Sequence, residues 1–298
     1  MRIFKNANII ILLIFSLSVY CKDKEKNNYS DDSNVQITYE DVARFKSPYS
    51  NIIIRDFGAL RNLYFVRDNG EEVIESTIDK GFPDNLFLTY TQVMFSTHLI
   101  KKEHKESLLV GLGGGSMVNF IIHYFPETQL DVVEIDKEIY NVSKKYFFLK
   151  ESENVKIYIE DAFKFINRTD KKYDSIYMDA FLKPSSETDS TGVSIKLKTK
   201  DFYNKLKSHL KPGGVVSFNI NSHEKLSSDV SAIKESFPNV YVFKKSGSGN
   251  YIIIASSEKD TVSKNTMQLN GLEIDKIKKP NFSFEKLADY KINPEEIK

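Results

Sequence analysis

Residues 108–136, LLVGLGGGSMVNFIIHYFPETQLDVVEID, constrain the fold of this chain more than any other stretch. An apolar run at Leu108, Leu109 and Val110 meets glycines at Gly111, Gly113, Gly114 and Gly115. The pattern predicts a helix next, and a second apolar run, LDVVEID, ends in the acids Glu134 and Asp136. Strand, glycine turn, helix, strand is the layout of a βαβ nucleotide site. Glycines let the backbone approach a ligand closely, helix N–H groups face it, and an acid at the next strand tip accepts hydrogen bonds from ribose hydroxyls. The same glycines would also serve an ordinary strand–helix turn, so the placement of the acids carries the ligand reading.

The N-terminus points to export. Residues 1–6 carry Arg2 and Lys5, an apolar and small-residue stretch follows through Tyr20, and the chain turns polar after Cys21 as KDKEKNNYSDDSN. This is the pattern of a secretory signal, and it falls short of the roughly 20 apolar residues of a membrane span. Cys21, the chain's only cysteine, stands where a bacterial lipoprotein would carry its lipid, although Tyr20 is large for the position before it. Residues 1–21 are therefore expected to be a leader, with lipidation at Cys21 and a lipid-anchored product in the cell envelope. A plain cleaved signal or an uncleaved anchor is a second reading, and an internal start artefact a third. One cysteine excludes an internal disulfide.

A length of 298 residues, less the leader, suffices for one large core with a small extra domain. The 42 basic and 41 acidic side chains nearly cancel to a net +1, which gives no basic footprint for nucleic acid. Residues 22–42 read as a polar tether. Residues 43–84 read as a small antiparallel β domain, with strands in IIIRDFG, RNLYFVRDN and EEVIESTI and a turn at Asp68-Asn69-Gly70. The spacing over residues 86–100 predicts a helix. Strands LLVG, LDVVEI, VKIYI, YDSIYMD, GVVSFNI, VYVFKK and YIIIASS then alternate with helices, which argues a mostly parallel α/β sandwich over residues 85–257. Residues 258–298 form a tail, read as a peripheral helix pair or partly disordered.

The pieces SPYSNIIIRD, GLGGGS, VEID, EDAFKFI, YDSIYMDAF, TKDFYNKLKSHLKPGGVVSFNI and GNYIIIASS stand in the order of one family. Together the chain resembles the spermidine synthase family, a branch of the seven-stranded, Rossmann-like S-adenosylmethionine-dependent methyltransferase fold. The resemblance implies a small N-terminal antiparallel β domain before the nucleotide-binding domain. It also implies a donor of the S-adenosylmethionine type, either the full molecule or its decarboxylated form. Gly111, Gly113 and Gly115 would form the loop beneath the donor, Glu134 would accept from the ribose, Ile135 would pack on adenine, and Asp161 would pair with the adenine amine. Glu134 is also an ordinary strand-end acid, and Asp161 is also a helix N-cap.

Asp179, closing the strand SIYM, matches the family acid credited with activating the attacking amine, which requires a base within reach of that proton. Tyr90 and His98 match an aromatic–histidine pair near the substrate, although a histidine on an apolar helix also suits a core. Two family acids are missing. Leu182 replaces the second aspartate after Asp179, and Gly114 replaces the acid that would hold the donor's amine. A buried ammonium without a paired anion is expensive, so standard spermidine synthesis is disfavoured. His104, His123, His209 and His223 read as scattered without a carboxylate cluster, and no metal motif is present.

The expected activity is transfer of an aminopropyl or methyl group to an amine-like small molecule such as a polyamine. The alternatives are an exported, inactive binding protein of the same fold and an envelope sensor. The resemblance raises a homodimer as well, with no contact surface defined by the matched motifs.

Overall fold

The computed structural model describes residues 39–297. The leader, Cys21 and most of the segment read as a tether lie outside them. β1 begins at Tyr39, so the ordered β unit starts ahead of residue 43.

Four strands, β1 (Tyr39–Lys46), β2 (Asn51–Phe57), β3 (Leu60–Val66) and β4 (Glu72–Asp79), form an antiparallel sheet in sequential order. Their β-branched and aromatic residues suit a pleated, half-buried surface. The predicted turn closes the β3–β4 hairpin: Gly70 N donates to Arg67 O, and Asn69 Oδ1 accepts from Glu71 N. The β3–β4 pairing is irregular at one point. Leu63 pairs with Ser76 and Tyr64 with Ile74, which leaves Glu75 as the extra residue of a β-bulge.

The larger sheet contains all seven strands expected from the sequence: β5 (Glu106–Val110), β6 (Gln129–Glu134), β7 (Val155–Ile159), β8 (Tyr173–Met178), β9 (Leu210–Asn221), β10 (Asn239–Phe243) and β11 (Asn250–Ser256). The tail adds a two-residue eighth strand, β12 (Lys291–Ile292). The order is β12-β10-β11-β9-β8-β5-β6-β7; β7, β6, β5, β8 and β9 run parallel, and β11 runs antiparallel to both its neighbours. The expected architecture stands: a Rossmann-like methyltransferase fold with an N-terminal antiparallel sheet.

Alternation explains the continuous apolar runs. Side chains of successive strand residues point to opposite faces, and both faces here are covered. Leu109, Val132, Ile252 and Ile254 enter one core; Leu108, Val110, Val133 and Ile253 enter the other. Helices α3 (Ser116–Tyr124), α4 (Lys137–Tyr146), α5 (Ala162–Arg168), α6 (Lys200–Ser208) and α7 (Leu226–Ser236) follow where the sequence places them, with shifted ends. The tail resolves into a helix pair, α8 (Lys264–Lys278) and α9 (Phe284–Leu287).

Residues 86–100 differ from the single helix expected. They form α1 (Thr89–Met94) and α2 (Thr97–Ile100). Between them Phe95, Ser96, His98 and Leu99 donate to carbonyls three residues back. This tight turn brings Phe95 and His98 together against Phe125 in an aromatic cluster.

Candidate active site

The chain order of the sheet reverses at β5, which pairs with β6 on one side and β8 on the other. At such a switch point the strand ends diverge and leave a crevice, the usual ligand position in an open α/β sheet. A cavity of about 430 Å³ opens there, bounded by the tips of β5, β6 and β8, by β4 and by the loop after β8.

Backbone approach dictates the first glycine. Gly111 has φ +95°, and a Cβ on it would lie 2.0 Å from the Asp179 carbonyl oxygen. The tips are tied by Asp179 N donating to Val110 O at 2.9 Å and Gly111 N donating to Val133 O at 2.8 Å. Gly111 and Gly113 line the cavity. Gly115 does not: the face where a Cβ would stand meets Leu149, so it packs behind the loop and leads into α3. Of the three loop glycines named from the sequence, Gly115 is therefore the one that stands back from the cavity, at the N-cap of α3.

The acids at the β6 tip have structural partners as well as cavity positions. Glu134 accepts from Leu112 N at 2.9 Å and from Asp136 N at 2.8 Å, so one carboxylate braces the glycine loop. Each of its oxygens retains acceptor capacity for a ligand hydroxyl. Burial pushes Glu134 up to about 7, against the pull of these N–H groups. Asp136 caps α4 through Glu138 N and accepts from Ser47 Oγ, fastening the small sheet to this helix. Ile135 lines the cavity. Asp161 also lines it and caps α5, accepting from Phe163 N at 2.8 Å.

Asp179, directly after β8, lines the cavity as well. Asn219 Nδ2 donates to its Oδ1 at 2.8 Å, and Asn250 Nδ2 donates to Asn219 Oδ1 at 2.9 Å, an amide chain that fixes the carboxylate's direction. Burial lifts Asp179 to about 6, with Asn219 and the Tyr90 hydroxyl holding it back. Tyr90 lines the cavity and donates to the Glu75 carbonyl at 3.2 Å. Glu75, in the bulge of β4, joins them. Its carboxyl is pushed up to about 8 by burial and then by the charge of Asp179. Sequence reasoning missed Glu75 and Asn219. The asparagine left a trace, as a polar residue inside the apolar run VVSFNI.

His98 is elsewhere. It stacks on Phe125 and His104, its Nδ1 faces Lys102 O at 3.2 Å, and it does not line the cavity. Burial holds it down to about 4, and the structure places it in the aromatic core, apart from the cavity where the sequence reading put it beside a substrate. His223 is not isolated either. Among the described residues its ring groups with Asp189 and Asp229, with ligand atoms within 4.8 Å of one another. Lys198 Nζ bonds both carboxylates, at 2.6 Å to Asp189, so a cation already occupies this cluster and pins the loop after β8.

The family model of the spermine/spermidine synthase domain matches residues 88–257, more than half of the chain. The chain belongs to that family. A polyamine aminopropyltransferase of Vibrio vulnificus is 29% identical over 215 residues, covering 70% of each chain. The human eEF1A lysine and N-terminal methyltransferase is 31% identical over 157 residues, 49% of this chain and 22% of that longer protein. The spermidine synthase of Thermotoga maritima shares the fold, with a TM-score of 0.62 at 17% identity over 86% of this chain and 85% of that one.

The two departures from the family's acids acquire structural meaning. Leu182 lines the cavity, so an apolar group stands at the position where the resemblance implied a second aspartate. At Gly114 a Cβ would lie 2.8 Å from the Phe147 ring and 3.0 Å from Ser76 Cβ, and Gly114 N donates to Ser76 Oγ. This spermidine-synthase-like loop has no room for the missing acid.

The raised carboxyls give a pH dependence with a definite sign. A carboxyl whose folded pKa is raised binds its proton more tightly in the native state, so the stability it adds is lost as pH rises through the folded value. His98 and His104, buried and lowered, act in the opposite sense but only below 6.5. Between pH 6.5 and 8 Glu75 and Glu134 dominate, at about 8 and about 7. The ligand-free protein is expected to lose thermal stability across that window, and Glu75→Gln to flatten the loss. Melting temperatures at stepped pH check this; an identical slope in wild type and variant would contradict it.

Proposed function

We propose that this chain transfers a methyl group from S-adenosylmethionine to an amine. The observation that carries the reading is Gly114. A decarboxylated donor ends in an ammonium alone and needs an acid beside the glycine loop; this loop offers none and cannot hold one without moving Phe147. The full donor ends in a zwitterion, and its carboxylate suits the uncapped N-terminus of α3, whose Ser116 and Met117 line the cavity.

The residues present fit a nucleoside of this kind. Glu134 and Asp161 are the acceptors for ribose hydroxyls and the adenine amine, Ile135 supplies an apolar surface, and Gly111 and Gly113 allow close approach. When bound, the donor supplies an electrophilic methyl carbon whose bonding pair leaves with the sulfur. The protein's share is alignment and proton removal. Asp179, oriented by Asn219, takes the proton that the amine nitrogen must lose, and the cavity walls hold nitrogen and carbon together.

Aminopropyl transfer is the second reading, favoured by the similarity to the Vibrio vulnificus polyamine aminopropyltransferase. Calorimetric titration of the full chain with both donors separates them. The expected result is tighter binding of S-adenosylmethionine by about ten-fold or more, the size of one charge-assisted interaction. Tighter binding of the decarboxylated form would overturn methyl transfer. Binding of neither would favour an inactive relative of the family.

A further inference from the structure

Glu75 has no assigned role, and three observations converge on it. First, it is the extra residue of the β-bulge opposite Leu63 and Tyr64. Consecutive strand residues ordinarily face opposite ways, and a bulge re-aims one of them. Glu75 and Ser76 consequently both line the cavity, Ser76 holding the glycine loop. Second, among the described residues the Glu75 carboxyl makes no hydrogen bond and no ion pair, although it is only partly exposed. Third, it shares this end of the cavity with Asp179 and Tyr90. The charged and titratable groups that act on it are Asp179, Arg67 and Tyr90.

We propose that Glu75 is a specificity-determining acid: the head group of the amine acceptor binds between the Glu75 and Asp179 carboxylates, and the acceptor is a monoamine with an apolar body. This rests on the transferase reading above and names its substrate class. Burial and the nearby charge of Asp179 disfavour a charged Glu75, so Glu75 keeps its proton until an ammonium between the two acids stabilises its carboxylate. Glu75 thereby supplies, from the small sheet, the anion that Leu182 does not. Beyond the head group, Tyr49, Phe65, Phe181 and Leu182 wall the cavity, while the exposed rim acid Glu187 shares its loop with the cations Lys183 and Lys196. The other acids that line the cavity, Glu134, Asp136, Glu160 and Asp161, belong to its nucleoside side, so among the described residues a second ammonium on this wall meets only exposed Glu187.

The test is calorimetry on the full chain saturated with S-adenosylhomocysteine, using n-butylamine and 1,4-diaminobutane as probes in buffers of different ionisation enthalpy. Butylamine is expected to bind wild type with proton release, because its charge ionises Glu75. Glu75→Gln should weaken it about ten-fold or more and abolish that release, while S-adenosylhomocysteine affinity changes less than about two-fold. Glu75→Asp should recover part of the binding, which a merely structural role would not link to proton release. Unchanged butylamine affinity in Glu75→Gln would overturn the proposal. So would diaminobutane binding about ten-fold tighter than butylamine, or nucleoside binding without any amine binding. Failure of nucleoside binding in a folded sample would instead overturn the transferase reading, and this proposal with it.

Discussion

Asp179→Asn is expected to lower turnover by about 10²–10⁴-fold, the range for loss of a general base, and to leave nucleoside affinity unchanged. Asparagine retains an oxygen for Asn219 Nδ2, so the amide chain through Asn250 persists and the cavity wall is undisturbed. What is lost is the ability to accept the acceptor's proton. Because burial holds Asp179 at about 6, wild-type turnover should rise as pH passes through that value and the carboxylate forms. Single-turnover rates for wild type and variant between pH 5 and 8 check both points. A variant with intact turnover would show that proton removal lies elsewhere.

The second large effect is structural. Gly111→Val is expected to destabilise the fold by about 2–5 kcal/mol, combining a positive φ that valine resists with overpacking against backbone. The obstructing atom is the Asp179 carbonyl oxygen, 2.0 Å from the new Cβ, and strand β8 cannot retreat without breaking the bond from Asp179 N to Val110 O. Gly113→Ala provides the contrast. Its φ of +52° strains alanine as well, but its Cβ would meet a side-chain atom, Ser76 Oγ at 2.7 Å, which can give way at the cost of its bond from Gly114 N, where backbone cannot. Chemical denaturation of both variants should rank them in that order. Equal stabilities would mean that the β5 and β8 tips are not tied as closely as described.

Much of this architecture is legible in the sequence because it rests on local pattern. The run LLVG, the glycines after it and VEID mark strand, turn and strand tip without tertiary information, and alternate apolar residues on both faces explain why the strands read as continuous runs. Asp179 and Asp161 are visible for the same reason, as polar residues that end apolar strands or start helices. The features that escaped are those created by three-dimensional proximity. Glu75 enters the cavity only through a bulge, and a bulge leaves no periodic mark within a single strand. His98 looks identical as a ligand or as a core residue until Phe95, Phe125 and His104 close around it. The cluster of Asp189, His223, Asp229 and Lys198 joins segments far apart in the chain. The tight turn at Phe95 and Ser96 answers to packing rather than to helix propensity, which tertiary context routinely overrides.

The most direct test of an adenosyl-nucleoside site is calorimetric titration of the full chain with S-adenosylhomocysteine, repeated for Asp161→Asn, which keeps a side chain able to cap α5. Saturable binding by wild type, weakened about ten-fold or more in Asp161→Asn at unchanged melting temperature, is the expected result. Absence of binding to a folded sample, or equal affinity in wild type and variant, would contradict a nucleoside lying between the β6 tip and Asp161.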